Sequence, residues 1–297
     1  MTKTLMIELG GGGLTLDGDA QPYEEVPPQL DTNAIARIYP PSGVSETPAG
    51  LLGHSGASIE ILGDRVVKSG SDPRIYEQAR FCSQHQGVCP TVYKIITGYR
   101  RYAYEMERLD ELPNLTNPDL TGHIIDIAYR EFWRHKAGTT NRVWRSVLSA
   151  WAVDKGFRWL VLPLNTLYTD DCAFMQVDIH GDLTLANTMI RPATREHVLI
   201  DPLPPTEKIP PLIEVDFGKL MQSALGWESL LLTGKAVYQE ALVDLIYRQT
   251  RKFKIPPKLV DFWTMVHLAR IIPYAKNPDV IFWAESNSAR IADALSL

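Results

Sequence analysis

Val177-Asp178-Ile179-His180-Gly181-Asp182-Leu183-Thr184-Leu185-Ala186-Asn187-Thr188-Met189-Ile190 is the stretch whose reading decides the fold of this 297-residue chain. Just beyond it, His197-Val198-Leu199-Ile200-Asp201 is a second short apolar run that ends in a carboxylate. Thr188 to Ile190 and His197 to Ile200 read as two strands across a turn, a hairpin that returns its end beside its start. Asp201, 19 residues after Asp182, is thereby brought back toward Asp182 and Asn187, which are themselves five residues apart.

Outward from that hairpin the chain divides by texture. Residues 1–48 hold Gly10 to Gly13, Pro27-Pro28 and Pro40-Pro41 and read as an extended arm or cap. The glycine run lacks the Gly-Lys-Ser/Thr ending of a P-loop, since Leu14-Thr15-Leu16 follows it. Residues 49–108 read as a small β-rich lobe: Ser58 to Leu62 and Arg65 to Lys68 across a Gly63-Asp64 turn, a short helix over 73–86, then strands from Val92 and from Tyr102. Residues 109–297 read as mostly helical, with apolar positions at helical spacing over 119–135, 141–156, 214–225, 235–252, 257–273 and 284–295. The expected fold class is therefore α+β and bilobal.

Composition narrows the class further. With 45% hydrophobic and 22% charged residues the chain can bury a core. A formal charge of −5 argues against a broadly basic face that would hold duplex nucleic acid. Cys82, Cys89 and Cys172 form no Cys-x-x-Cys pair and read as reduced thiols, and no apolar run reaches the roughly 20 residues a bilayer requires. A cytoplasmic protein is expected.

The quoted stretch matches the protein-kinase catalytic loop His-Arg-Asp-Leu-x-x-x-Asn at His180, Asp182, Leu183 and Asn187, with Gly181 in place of the arginine. With Leu199-Ile200-Asp201 downstream, it resembles the aminoglycoside phosphotransferase and choline kinase branch of the protein-kinase-like superfamily, in which glycine commonly stands at that position. The likeness covers roughly residues 50–225. It implies a bilobal kinase-like fold, ATP and Mg²⁺ as cofactors, and transfer of the γ-phosphate to an acceptor hydroxyl. Asp182 would be the catalytic residue that orients and deprotonates the acceptor, and Asn187 and Asp201 would ligate the metal.

For the nucleotide, Lys68 closes Val66-Val67-Lys68 as the expected strand lysine, with Glu77 on the following helix as its partner. Gly53-His54-Ser55-Gly56-Ala57-Ser58 is a small-residue loop whose Ser55 and Gly56 could turn backbone N–H groups toward phosphates. Met106-Glu107-Arg108-Leu109 would be the hinge whose backbone, at Glu107 and Leu109, meets an adenine edge. Asp216-Phe217-Gly218 spells the kinase Asp-Phe-Gly signature, but Lys219-Leu220-Met221 follows, so it reads as a helix N-terminus with an acidic cap and a structural role.

The acceptor has no signature of its own. Gly181 removes an arginine that many protein kinases pair with an activation-loop phosphate, which favours a small molecule over a protein. Asp170-Asp171 could meet a cationic substrate, whereas Arg130, Arg134, Lys136, Arg142 and Arg145 read as a solvated face or a surface for an acidic partner. Trp133, Trp144 and Trp151 read as packing residues. The rival readings are a protein kinase, a nucleotidyl-transferring relative, or a nucleotide-binding pseudoenzyme that acts as an interaction module.

Overall fold

The computed structural model describes residues 57–112, 118–133, 136–139, 143–168, 175–206 and 209–295. The arm at 1–48, Ser55 and Gly56, Asp170-Asp171, Arg134, Arg142 and Cys172 lie outside the described residues.

Strands β1 (Ser58–Leu62) and β2 (Arg65–Gly70) are joined by a turn in which Gly63 takes φ +64°, a conformation only glycine adopts without strain. Helix α1 (Arg74–Gln84) follows, then β3 (Val92–Gly98) and β4 (Arg101–Glu107), giving an antiparallel sheet in the order β1-β2-β4-β3. Ile75 and Ala79 of α1 pack on Tyr104 of β4, with Ile95 and Met106 beside them. That contact seats α1 on the sheet and buries Lys68, which is 2% exposed.

β5 (Asp110–Glu111) continues from β4 and pairs with β8 (Thr188–Ile190), which pairs with β9 (His197–Leu199). The anticipated hairpin is in register, Thr188 opposite Leu199 and Ile190 opposite His197. It is tied to the small lobe through Arg191, whose guanidinium donates to Glu107 and Glu196 and to the carbonyls of Gln86 and Cys89.

Helices α2 (Pro118–Glu131), α3 (Val143–Asp154) and α4 (Val161–Leu167) follow, with a two-stranded pair, β6 (Lys136–Thr139) and β7 (Met175–Val177), formed by the segments between and after them. Beyond the hairpin come α5 (Ile213–Ala224), α6 (Trp227–Thr233), α7 (Glu240–Lys252), α8 (Pro257–Ile271) and α9 (Pro278–Ala294). Pro257 opens α8 at its first turn, where its missing N–H costs nothing. Asn277 accepts from the amide of Asp279, a side-chain cap that starts α9 six residues before the expected 284. Among the described residues no helix is long and apolar enough to cross a membrane.

The centre of the large lobe is the crossing of α5 and α8. Both are buried on nearly every side, from Val215 to Ala224 and from Val260 to Ala269, which is the pattern of core helices rather than of surface ones. Gly218 lets them approach: a Cβ there would lie 2.8 Å from Trp263 Cβ and 2.9 Å from Thr264 N. Gly218→Ala should therefore force the helices apart and destabilise the protein by roughly 1–3 kcal/mol, the usual range for overpacking. Urea unfolding checks this, and a midpoint equal to that of the wild type would contradict it.

Candidate functional site

The loop from Ile179 to Asn187 is held from below by one face of α5. Asp216 Oδ2 accepts from the backbone amide of His180 at 3.0 Å, and Oδ1 accepts from that of Gly181 at 2.7 Å. Trp133 Nε1 also donates to Asp216, at 3.0 Å. Three residues on, Lys219 Nζ lies 2.8 Å from Asp182 Oδ1. Four residues further, Ser223 Oγ accepts from Leu185 N at 3.1 Å and donates to Glu228 of α6, which accepts from Ala186 N. Positions 216, 219 and 223 share one face of a helix, so successive turns grip successive residues of the loop.

This corrects the reading of Asp216 as a helix cap. The residue preceding α5 is Leu212, in extended conformation, and the Asp216 carboxylate turns to the loop instead. The literal Asp-Phe-Gly is a buried piece of α5: its Asp holds backbone, its Phe is core, and its Gly admits α8.

Gly181 is required for a separate reason. Its φ is +75°, and a Cβ would lie 1.9 Å from the carbonyl oxygen of Leu203. Leu203 N in turn donates to His180 O at 2.7 Å, and Ile200 N donates to Asn187 O at 2.9 Å. The segment carrying Asp201 is thus laced to the loop on both sides of that residue. Asp201 itself takes φ +54°, a region that an aspartate tolerates better than most side chains.

Four of the anticipated site residues meet there. Asn187 Nδ2 donates to Asp182 Oδ2 at 3.0 Å and to Asp182 O at 2.8 Å. Lys68 Nζ reaches across from β2 to Asp201 Oδ1 at 2.6 Å. Burial pushes the Asp182 carboxyl upward, but the neighbouring Lys219 ammonium outweighs it and holds the group below its ordinary value. Burial draws His180 down to about 4, so it is neutral at pH 7.

Asn187 Oδ1 and Asp201 Oδ2 are the atoms those contacts leave for a cation. An amide oxygen and a carboxylate oxygen are the hard donors that suit Mg²⁺ when phosphate and water complete its shell. Among the described residues there is no cluster of three or more His, Cys, Asp or Glu that could hold a metal unaided.

Other expected residues fall elsewhere. Glu77 is exposed on α1 and makes no ion pair with Lys68, which pairs with Asp201. The polar side chain that α1 buries is its neighbour, Gln78. Glu107 is occupied: its N–H donates to Thr91 O, and its carboxylate accepts from Thr91 N and from Arg191. Burial would raise the Glu107 carboxyl, but these donors hold it low. Any contact from Glu107 to a base would have to use its carbonyl. Leu109 is buried, and its N–H makes no backbone hydrogen bond among the described residues.

Lys219 escaped the sequence reading. Its signal is the polar series Asp216, Lys219, Ser223 at helical spacing in a helix whose remaining residues are mostly apolar.

No family model matches the chain, and no curated protein matches it in sequence. Solved structures do match in fold. A type VIII aminoglycoside-3'-phosphotransferase superposes with a TM-score of 0.51 at 15% identity, over 78% of this chain and 95% of that one. A glucosamine kinase in complex with glucosamine, ADP and inorganic phosphate gives 0.45 at 12% identity, over 81% and 76%. An aminoglycoside phosphotransferase from Streptomyces rimosus, bound to ADP and streptomycin, gives 0.46 at 13%, over 71% and 91%. The chain shares the bilobal kinase-like fold of that aminoglycoside-3'-phosphotransferase, with a small antiparallel sheet before a mostly helical lobe.

Asp216 accepts from three buried donors, and each donor left without an acceptor costs about 1–3 kcal/mol. Asp216→Ala should therefore lower the urea midpoint sharply and expose the loop to proteolysis. Burial raises the Asp216 carboxyl to about 6. The folded state therefore retains a proton that the unfolded chain releases near pH 4, and stability falls as pH rises from about 4 to 6. Asp216→Asn should remove that slope, and an unchanged pH profile would contradict the assignment.

Proposed function

We propose that this chain is an ATP-dependent phosphotransferase acting on the hydroxyl group of a small molecule. The observation that carries the proposal is the convergence of Lys68 from the small lobe with Asp182, Asn187 and Asp201 from the large one. Asp182 takes the acceptor's hydroxyl proton as the oxygen bonds to the γ-phosphorus and the bond from that phosphorus to the bridging oxygen breaks. Lys68 sets a positive charge against the nucleotide phosphates. Asn187 and Asp201 would hold Mg²⁺, which neutralises phosphate charge when bound. Leu109 N–H is the hinge donor left for a base edge.

Catalysis on this reading is positioning and electrostatics, and the site is built accordingly. Asp182 is fixed at both oxygens, and Asp201 is kept in a sparsely populated backbone conformation by the bonds on either side of it. A small acceptor is favoured because only residues 202–212 join Asp201 to α5, too short a segment to form a platform for a peptide. The shared fold with aminoglycoside phosphotransferases points the same way.

MgATP should raise the melting temperature more than ATP or Mg²⁺ alone, by the equivalent of about 2.7 kcal/mol at 100 times its dissociation constant. Asp182→Ala should leave MgATP affinity nearly intact and lower turnover roughly 10²- to 10⁴-fold, whereas Lys68→Ala should weaken nucleotide binding as well. Calorimetry with MgATP and product detection across a panel of alcohols, sugars and amino sugars test both. Equal melting curves with and without MgATP would remove the phosphotransferase reading. Nucleotide binding with identical rates in wild type and Asp182→Ala would mark a binding module instead.

A further inference from the structure

The two oxygens of Asp182 divide the site. Oδ2 faces Asn187, on the side proposed for the metal and nucleotide, and Oδ1 faces Lys219. Helix α8 contributes a second cation, Arg270, whose charge acts on both Asp182 and Lys219. Arg270 is partly buried, and its Nη1 lies 3.4 Å from His267 Nδ1, one turn earlier on the same helix. His267 Nε2 lies 3.0 Å from Val215 O. Burial, followed by the charges of Lys219 and Arg270, keeps His267 well below its ordinary value and therefore neutral. In the tautomer that donates from Nε2 to the carbonyl, Nδ1 is a lone-pair acceptor for the guanidinium.

That contact uses one of Arg270's five N–H groups. Among the described residues no carboxylate forms an ion pair with it, whereas Lys219 pairs with Asp182 and Arg74 with Asp72. Burial pulls the Arg270 guanidinium down from its ordinary value, with Asp182 and Tyr274 acting against the shift and Arg74 reinforcing it. Lys219 is compensated by Asp182 and by the nearby carboxylate of Glu228, whereas Arg270 has only the influence of an Asp182 already paired with Lys219. A partly buried arginine without a carboxylate partner is costly unless something else supplies the negative charge.

We propose that the acceptor is an anion, a small hydroxylated molecule whose carboxylate or phosphate is held by Arg270. This rests on the phosphotransferase reading and deepens it. The planar guanidinium fork matches either group in a bidentate manner, and Lys219 adds positive charge at Asp182 Oδ1. A nucleotide phosphate is the weaker candidate, because Asn187, assigned to the metal, sits on the other oxygen of Asp182, and Lys68, assigned to the phosphates, pairs with Asp201. Amines such as glucosamine and streptomycin, bound in the neighbouring structures, would face repulsion here.

The test uses the full chain saturated with MgADP, whose own binding is measured first by calorimetry. Matched series are then titrated: glucose, glucosamine, glucuronate and glucose 6-phosphate, and glycerol, serinol, glycerate and glycerol 3-phosphate. In at least one series an anionic member should bind 10-fold or more tightly than the amine, and the carboxylate and phosphate arms tell the two chemistries apart. Arg270→Gln should weaken that anion roughly 10- to 100-fold, the range for one charged hydrogen-bonded contact, with MgADP affinity kept within two-fold. Arg270→Lys should restore part of the loss, and circular dichroism confirms that each variant is folded. An amine or neutral member binding as tightly as the anions, or no member binding, overturns the proposal while leaving the phosphotransferase reading in place. A loss of MgADP affinity in Arg270→Gln overturns it too, by assigning Arg270 to the nucleotide. Failure of the wild type to bind MgADP removes both readings.

Discussion

Everything in the site depends on a loop whose backbone is held by side chains rather than by a sheet. Asp216 secures the amides of His180 and Gly181, Lys219 the carboxylate of Asp182, and Ser223 with Glu228 the amides of Leu185 and Ala186. Irregular backbone at the centre of a lobe would otherwise leave its N–H groups without partners, at a cost of the same order as a lost hydrogen bond for each one. One helix face meets that demand, and α8 holds the helix in turn through the close approach at Gly218. Precision at Asp182 is therefore inherited from packing on the far side of α5.

The same arrangement concentrates charge where water is scarce. Burial works against Asp216, Asp182 and Lys219 alike, raising the carboxyls and lowering the ammonium. Asp182 and Lys219 compensate one another directly, while Asp216 relies on neutral N–H donors and is held near 6. Removing one partner of a buried pair leaves an uncompensated charge, so these groups behave as a unit and substitutions among them will not be additive.

What could be read in the sequence was what is local. Asp182 and Asn187 lie five residues apart on one loop, Asp201 ends a strand of a short hairpin, and Lys68 ends an apolar strand run; each depends on nearby periodicity. Glu77 is exposed and does not meet Lys68, which pairs with Asp201. Ile75, Gln78, Ala79, Phe81 and Cys82 form the buried face of the helix and position 77 is exposed, a phase that a short amphipathic stretch does not fix to one residue. Lys219 is not legible in the sequence because it reaches Asp182 from α5, 37 residues later, and Asp216 reads as a cap because its backbone partners lie 35 and 36 residues earlier. Contacts of that range are set by tertiary packing.

Gly181 also limits how such a protein could change over evolutionary time. The carbonyl of Leu203 occupies the space where any side chain at 181 would begin. An arginine there, the usual receiver of a phosphorylated activation segment, lies beyond the reach of a single substitution, since the chain from Asp201 to Leu203 would have to be rerouted first. Control by that route is closed by backbone geometry.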